Sequence, residues 1–380
     1  MSSQAYTPGL KIKRSCIVEK TRRLPIKGEV LVKQGDEVSC DDIVARTTIP
    51  GTPQIVDVAL ALGIDVAEVE SYMVKKIGEF VNEKEPLAIL EAFMGLVKRS
   101  CLSPVAGTLE HVSNITGQAI VRESPEEVRI QAYIPGIVTE VLPSEGIVVR
   151  TSATYVQGIF GIGGETNGEL MAISKNASDV VDADQITADC KGKVLICGAV
   201  ITLNALRKSV ELGTKGIVVG GIVDKDLIDF VGYDIGVAIT GHEEVGLSLI
   251  ITEGFGKMAM REKTFELLQG LEGRLACING ATQIRAGVMR PEIIIPDQSS
   301  SRGSLVEARS EEETRGVGLE PGTVIRSIRK PYFGALGKVI SLPVELRRLE
   351  SGSLVRILEA ELADGKRVTI PRANVEIIEE

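Results

Sequence analysis

Gly28–Thr47 reads GEVLVKQGDEVSCDDIVART, and Val74–Ala92 reads VKKIGEFVNEKEPLAILEA. The second is a diverged return of the first. Each gives an apolar strand, a Gly-Asp or Gly-Glu turn, a Val, a polar gap and a second apolar strand. Short β-branched runs punctuated by Gly, Pro and Asp are strand signals. The two units therefore predict a barrel-like sandwich made of two similar halves. Between them, IVDVALALGIDVAEVESYMVKK (Ile55–Lys76) repeats apolar residues at helical spacing, which predicts a helix broken near Gly63.

Working outward, the chain changes character after residue 180. GKVLICGAV and TKGIVVGG are continuous buried-type strands, and ITLNALRKSVELG between them is an amphipathic helix closed by Gly213. A short helix follows around Asp224–Val231. DIGVAIT and LSLIIT read as the third and fourth strands, FGKMAMREKTFELLQG as a helix and GRLACING as a fifth strand. Strands alternating with helices imply crossover units and a mostly parallel sheet. Residues 297–320, with five Ser and dense mixed charge, read as a linker. Residues 321–380 return to strands, with Asp364-Gly365 as a hairpin turn.

The expected fold class is therefore multidomain α+β. An N-terminal barrel-sandwich module spans 1–155 with an inserted helix, a Gly-rich hairpin connection spans 156–179, and an α/β domain spans 180–296. A linker spans 297–320 and a small SH3-like barrel spans 321–380.

Composition narrows the function. The 380 residues include no Trp, six Tyr, seven Phe and two His. Few aromatics argue against a stacking platform for single-stranded nucleic acid, and two His exclude a His-rich metal site. The net charge of −9 supplies no general attraction to nucleic acid. The six cysteines form no CxxC pair and match no zinc spacing. They read as reduced, partly buried core residues. The sequence shows no signal-peptide core and no run of about 18 apolar residues, so the expected location is cytoplasmic, with no membrane insertion.

Three segments bear on chemistry. EAFMGLVKRSCLSPVAG (Glu91–Gly107) resembles the biotin carrier domain, whose EAMKM turn is followed by a Pro-Val-Ala-Gly strand turn. Glu91-Ala92 and Ser103-Pro104-Val105-Ala106-Gly107 are retained, but Met94 stands where that family places its acceptor Lys. A thioether cannot form the amide that carries biotin or lipoate. The resemblance thus implies the barrel-sandwich hybrid fold over roughly Ile26–Val121, with no cofactor. The same fold occurs uncharged in RNA polymerase largest subunits and in the C subunit of Rnf-type electron-transport complexes.

GTVIR (Gly322–Arg326) leading to KPYFGALGKV (Lys330–Val339) resembles a KOW motif, found in NusG-type elongation factors and some large-subunit ribosomal proteins. Its loop would display Arg329, Lys330, Tyr332, Phe333 and Lys338 to a charged protein partner or to RNA. Residues 321–380 hold ten Lys/Arg and eight Asp/Glu, a net of +2 within an acidic chain.

Ligands of parallel sheets bind beyond the carboxyl ends of the strands. If the sheet forms as read, His242, Glu243, Glu253, Asn279, Gln283 and Arg285 share one crevice. His242 with a carboxylate would make an acid–base pair, and Arg285 or Arg290 would hold an anion. No nucleophile–base constellation stands out, so no catalytic residue is assigned. Lastly, Lys11–Lys27 carries seven positive residues and one Glu, either a solvated face or a docking patch for an acidic partner.

The leading expectation is a non-catalytic scaffold or adaptor docking onto a larger cytoplasmic assembly, with self-association left open. The alternatives are a KOW-mediated RNA-, ribosome- or RNA-polymerase-associated factor and a small-molecule-binding protein or enzyme built on the central domain.

Overall fold

The computed structural model describes residues 10–92, 97–232, 245–282, 289–297, 319–327, 331–332, 335–343, 345–348 and 354–379. These residues are mostly β-strand, arranged in several sheets.

The chain opens with β1 (Leu10–Arg23), β2 (Glu29–Val30), β3 (Glu37–Val38) and β4 (Ile43–Ile49). It then leaves for an inner module: β5 (Pro53–Asp57), α1 (Val58–Leu62), α2 (Val69–Tyr72), β6 (Phe80–Val81), β7 (Pro86–Ala92), β8 (Val97–Leu102), β9 (Gly107–Val112) and β10 (Gln118–Glu123). It returns through β11 (Glu126–Gln131), which pairs antiparallel with β4, and continues into β12 (Gly136–Leu142) and β13 (Gly146–Gln157). Asp57 caps α1 by accepting from the Leu60 N–H, and Gly63 at φ 69° stops it, so the helix breaks where expected.

The two recurring phrases do not form two halves of one sandwich. They are matching parts of two complete modules, one inserted into the other at the end of the β4–β11 pair. The correspondence runs at a constant offset, pairing Gly35 with Gly78, Val38 with Val81 and Asp42 with Glu85. Gly35 and Gly78 adopt φ 90° and 87°. Their N–H groups donate to Val138 and Leu109 carbonyls at 2.8 and 2.7 Å. Asp36 and Glu79 accept from the Lys33 and Lys76 N–H groups, and Asp42 and Glu85 accept from those of Ser39 and Asn82. Val38 pairs with Gly136 as Val81 pairs with Gly107. Ala45 pairs with Ile130 as Ala88 pairs with Cys101. Each copy has its own core. Val38 and Val44 pack with Ile134, Val138 and Val149, whereas Val81, Leu87 and Ala88 pack with Leu62, Leu109 and Val121. The cores separate because each phrase buries its apolar residues against the returning strands of its own copy.

β13 runs on into the central domain. After it come β14 (Phe160–Ile162), β15 (Glu165–Ala172), β16 (Val180–Val181), β17 (Lys193–Ile196), β18 (Val200–Ile201) and α3 (Leu203–Leu212). Then follow β19 (Gly216–Ile222), α4 (Asp224–Val231), β20 (Ser248–Phe255), α5 (Glu262–Gln269), β21 (Leu275–Asn279) and β22 (Glu292–Pro296). Pairing proceeds β13–β22–β21–β15–β17–β19–β20–β14. Because β14 resumes the path of β13, that circuit closes on itself. Within that circuit the β15–β17, β17–β19 and β19–β20 joins are parallel, and the short strands β16 and β18 add the parallel joins β16–β18 and β18–β19. The Gly-rich stretch expected as a connection is therefore part of the sheet, and the expected fifth strand, β21, runs against the parallel group. Strand DIGVAIT lies outside the described residues. The last helix is shorter than its sequence pattern, since β20 continues through Phe255.

These strands are apolar on both faces. Val194, Val218 and Ile250 join Phe265 and Leu268 of α5, while Leu195, Ile217 and Leu249 join Ala205 and Leu206 of α3. Double burial explains the unbroken apolar runs in the sequence.

The C-terminal module comprises β23 (Val324–Ser327), β24 (Leu336–Ser341), β25 (Leu346–Arg348), β26 (Leu354–Leu362), β27 (Arg367–Pro371) and β28 (Val375–Glu379). Its order is β27–β26–β24–β23–β28, around a core that includes Ile325, Val339, Leu358 and Val375. Gly365 at φ 82° makes the expected β26–β27 turn. β28 also runs parallel beside the start of β1.

Candidate functional site

Of the residues expected to share a crevice, His242, Glu243, Gln283 and Arg285 lie outside the described residues. The other two are not brought together. Glu253 sits near the carboxyl end of β20, beside the level of Gly221 on β19. Asn279 ends antiparallel β21, opposite Glu165 at the beginning of β15. The reversed direction of β21 takes its carboxyl end away from those of the parallel strands.

Glu253, moreover, is closed to a ligand. Glu253 is buried, and its carboxylate is held by Arg326 of β23 and by the Arg261 N–H at 3.1 Å. The same guanidinium donates to the Thr252 carbonyl at 2.8 Å. Arg326 is only 1% exposed, so the C-terminal module inserts a buried cation at the end of the central sheet. The Asn279 Oδ1 accepts from the Ala281 N–H at 2.9 Å, which makes a local turn.

In the C-terminal loop, Arg329, Lys330 and Phe333 lie outside the described residues. Lys338 is exposed on β24. Tyr332 is half-buried, with the Lys366 ammonium 5.5 Å from its ring centroid. Met94 also lies outside the described residues.

One group of titratable side chains was not singled out as a site by the sequence. It lies at the seam between the outer module and the central sheet. Glu292 on β22 accepts hydrogen bonds from the Tyr133 hydroxyl at 3.2 Å and the Tyr155 hydroxyl at 3.0 Å, and pairs with Lys20 Nζ at 2.6 Å. Arg22 forms a two-pronged pair with Glu165 at 2.7 and 2.6 Å. Its Cζ lies 5.4 Å from the Tyr133 ring centroid. Two charges of the basic N-terminal run thus find their acidic partners within the chain. Tyr133 is a non-glycine residue at φ 70°, a conformation that persists only where surrounding contacts impose it.

Burial, with the Glu292 charge added, pushes the phenols of Tyr133 and Tyr155 up. Both remain hydrogen-bond donors near neutral pH and supply no phenolate base. Close by, Asn167 on β15 donates to Asp41 at 2.8 Å, and Cys277 is the strand partner of Asn167. The Cys277 thiol hydrogen-bonds to Cys40, which lowers the Cys40 pKa and raises that of Cys277. All six cysteines are free thiols, and all but Cys16 are buried. The seam holds modules together; its groups are committed to one another. A pairing across 272 positions, as between Lys20 and Glu292, leaves no local sequence signal.

Among the described residues, no group of three or more His, Cys, Asp or Glu side chains is placed to hold a metal ion. Among the same residues, no helix is long and apolar enough to cross a membrane. Neither the protein-family models nor the curated proteins include a match to this chain.

Proposed function

We propose that this chain is a non-catalytic adaptor that docks onto a larger assembly, with its central barrel as a frame and its inner β module as a docking element. One observation carries this reading. The inner module joins the rest through β4 and β11, and its described elements make no more than marginal contact with elements outside it. Yet it bears the four most exposed large apolar side chains among the described residues, Ile115, Leu60, Ile55 and Ile77. Ile115 is 84% exposed. Large apolar side chains left exposed on one module are what a protein partner would cover. The resemblance to barrel-sandwich hybrid modules without an acceptor Lys supports the same role. The outer and central modules, by contrast, are tied together by Lys20–Glu292 and Arg22–Glu165.

The test is affinity purification from gentle lysis. A partner retained in stoichiometric amount by the parent chain should be lost with Leu60→Asp plus Ile115→Asp. Recovery of the free protein alone, from parent and variant alike, would remove the proposal. An RNA-associated role through the KOW-like loop is the second reading, favoured by the exposed Lys338. Under it, Lys338→Gln would weaken RNA binding and reduce its slope against log salt by about 1.

A further inference from the structure

We infer that Cys40 and Cys277 form a redox-sensitive pair, which a hydroperoxide joins into a disulfide across the seam between the outer module and the central barrel. Cys40 lies in the turn between β3 and β4 of the outer module, and Cys277 lies on β21 of the central domain. Side chains alternate between the two faces of a strand. Ala276 and Ile278 accordingly belong to the central core, whereas Cys277 belongs to the outer core, together with Cys40. Asn167, the strand partner of Cys277, donates to the Asp41 carboxylate at 2.8 Å, directly beside Cys40. The Tyr133 N–H donates to the Cys40 carbonyl at 2.9 Å, with Tyr133 itself held at φ 70°. The turn that bears Cys40 is thus fixed against β21, and there the Cys277 thiol donates to the Cys40 sulfur.

The two thiols are unequal. Cys277 is fully buried, whereas Cys40 keeps 7% exposure next to the exposed Asp41, so a small oxidant reaches Cys40 first. The hydrogen bond from Cys277 also favours the Cys40 thiolate, which is the reactive form. With hydrogen peroxide, the Cys40 thiolate attacks one oxygen and the O–O bond breaks. Cys40 becomes a sulfenic acid, and the other oxygen leaves as hydroxide, which takes up the proton that Cys40 had released. The Cys277 sulfur then attacks the Cys40 sulfur. The S–S bond forms, the S–O bond breaks, and the hydroxyl departs with the Cys277 proton as a second water. Two thiols give up two electrons and two protons in all, and the peroxide is reduced to two waters. The bridge ties the outer module covalently where Lys20–Glu292 and Arg22–Glu165 already hold it.

Cys190 and Cys197 serve as an internal reference, since both belong to one core of the central domain and both are fully buried. Cys16, the one cysteine that is not buried, reports that the oxidant has acted. The full-length protein is treated with hydrogen peroxide, alkylated under denaturing conditions, and read by intact mass and a non-reducing peptide map. Loss of two hydrogens is expected, with one cross-linked pair of peptides carrying Cys40 and Cys277, reversed by dithiothreitol. Cys190 and Cys197 should still be alkylated. Amides of residues 37–45 should exchange about tenfold more slowly in the oxidised protein. Cys40→Ser should abolish the bridge, and Cys277→Ala should leave Cys40 as a sulfenic acid that dimedone traps. Should Cys277→Ala not fold, Cys40→Ser and the peptide map of the parent chain still decide. Three results would each overturn the inference: both seam thiols still free at a dose that oxidises Cys16, a Cys40 sulfinic acid without a bridge, or a Cys190–Cys197 bridge formed as fast. No docking partner takes part, so the outcome is independent of the adaptor reading.

Discussion

The outer and inner modules share one hydrogen-bonding plan but stand differently in the molecule. The outer copy is welded to the central barrel: its core includes Cys277 and Ile294, and Glu292 is locked under Lys20, Tyr133 and Tyr155. The inner copy keeps a private core and closes its own turn with Lys75. A single plan thus serves in one place as structural foundation and in the other as a separate unit. What differs is where each copy spends its charged side chains. The outer copy uses its cations across the seam. The inner copy has no seam, and uses Lys75 locally.

The sharpest way to break this contrast is at the seam. Glu292→Ala leaves Lys20 and two buried hydroxyls without their shared acceptor, and should cost about 3–5 kcal/mol in urea unfolding. A loss within experimental error would show that the seam does not anchor the outer copy. A smaller and more local effect is expected from Leu87→Ala in the inner core. It should lower protection of amides in residues 53–123 by about 2–5 kcal/mol in hydrogen exchange. Protection of β19 should be unchanged; a matching loss there would mean that the two copies unfold as one unit.

The smallest effect concerns acid. Lys75, followed by the Asn82 N–H, holds the Glu85 carboxyl down at about 2. An unfolded Glu titrates near about 4.3. The folded value is the lower one, so the contribution to stability is present above that pH and is lost as pH falls through about 2. Carboxyl NMR titration should follow this, and Lys75→Val should return Glu85 toward the ordinary carboxylate range. A Glu85 titration unmoved by that substitution would show that the ammonium does not hold it.

Much of this architecture was legible in the residues. The recurrence of the GDEV and GEFV phrases reported a repeated turn because Gly35 and Gly78 must both adopt positive φ. The α3 helix, with Thr202 before it and Gly213 after it, was legible from local capping. The doubly buried strands β17, β19 and β20 were legible from continuous apolar runs. The nesting of one module inside the other was not, because a repeated phrase does not say which returning strand each copy pairs with. The direction of β21 was equally silent, and with it fell the grouping of Glu253 with Asn279.

By itself, the sequence determined the capped helices, the doubly buried strands and the repeated turn, since these depend on backbone angles and periodicity within a few residues. Only the tertiary structure decided that Glu253 belongs to Arg326 and that Glu292 belongs to Lys20 and two tyrosines. Those assignments are long-range pairings of charge, set by how strands from distant segments close around their cores.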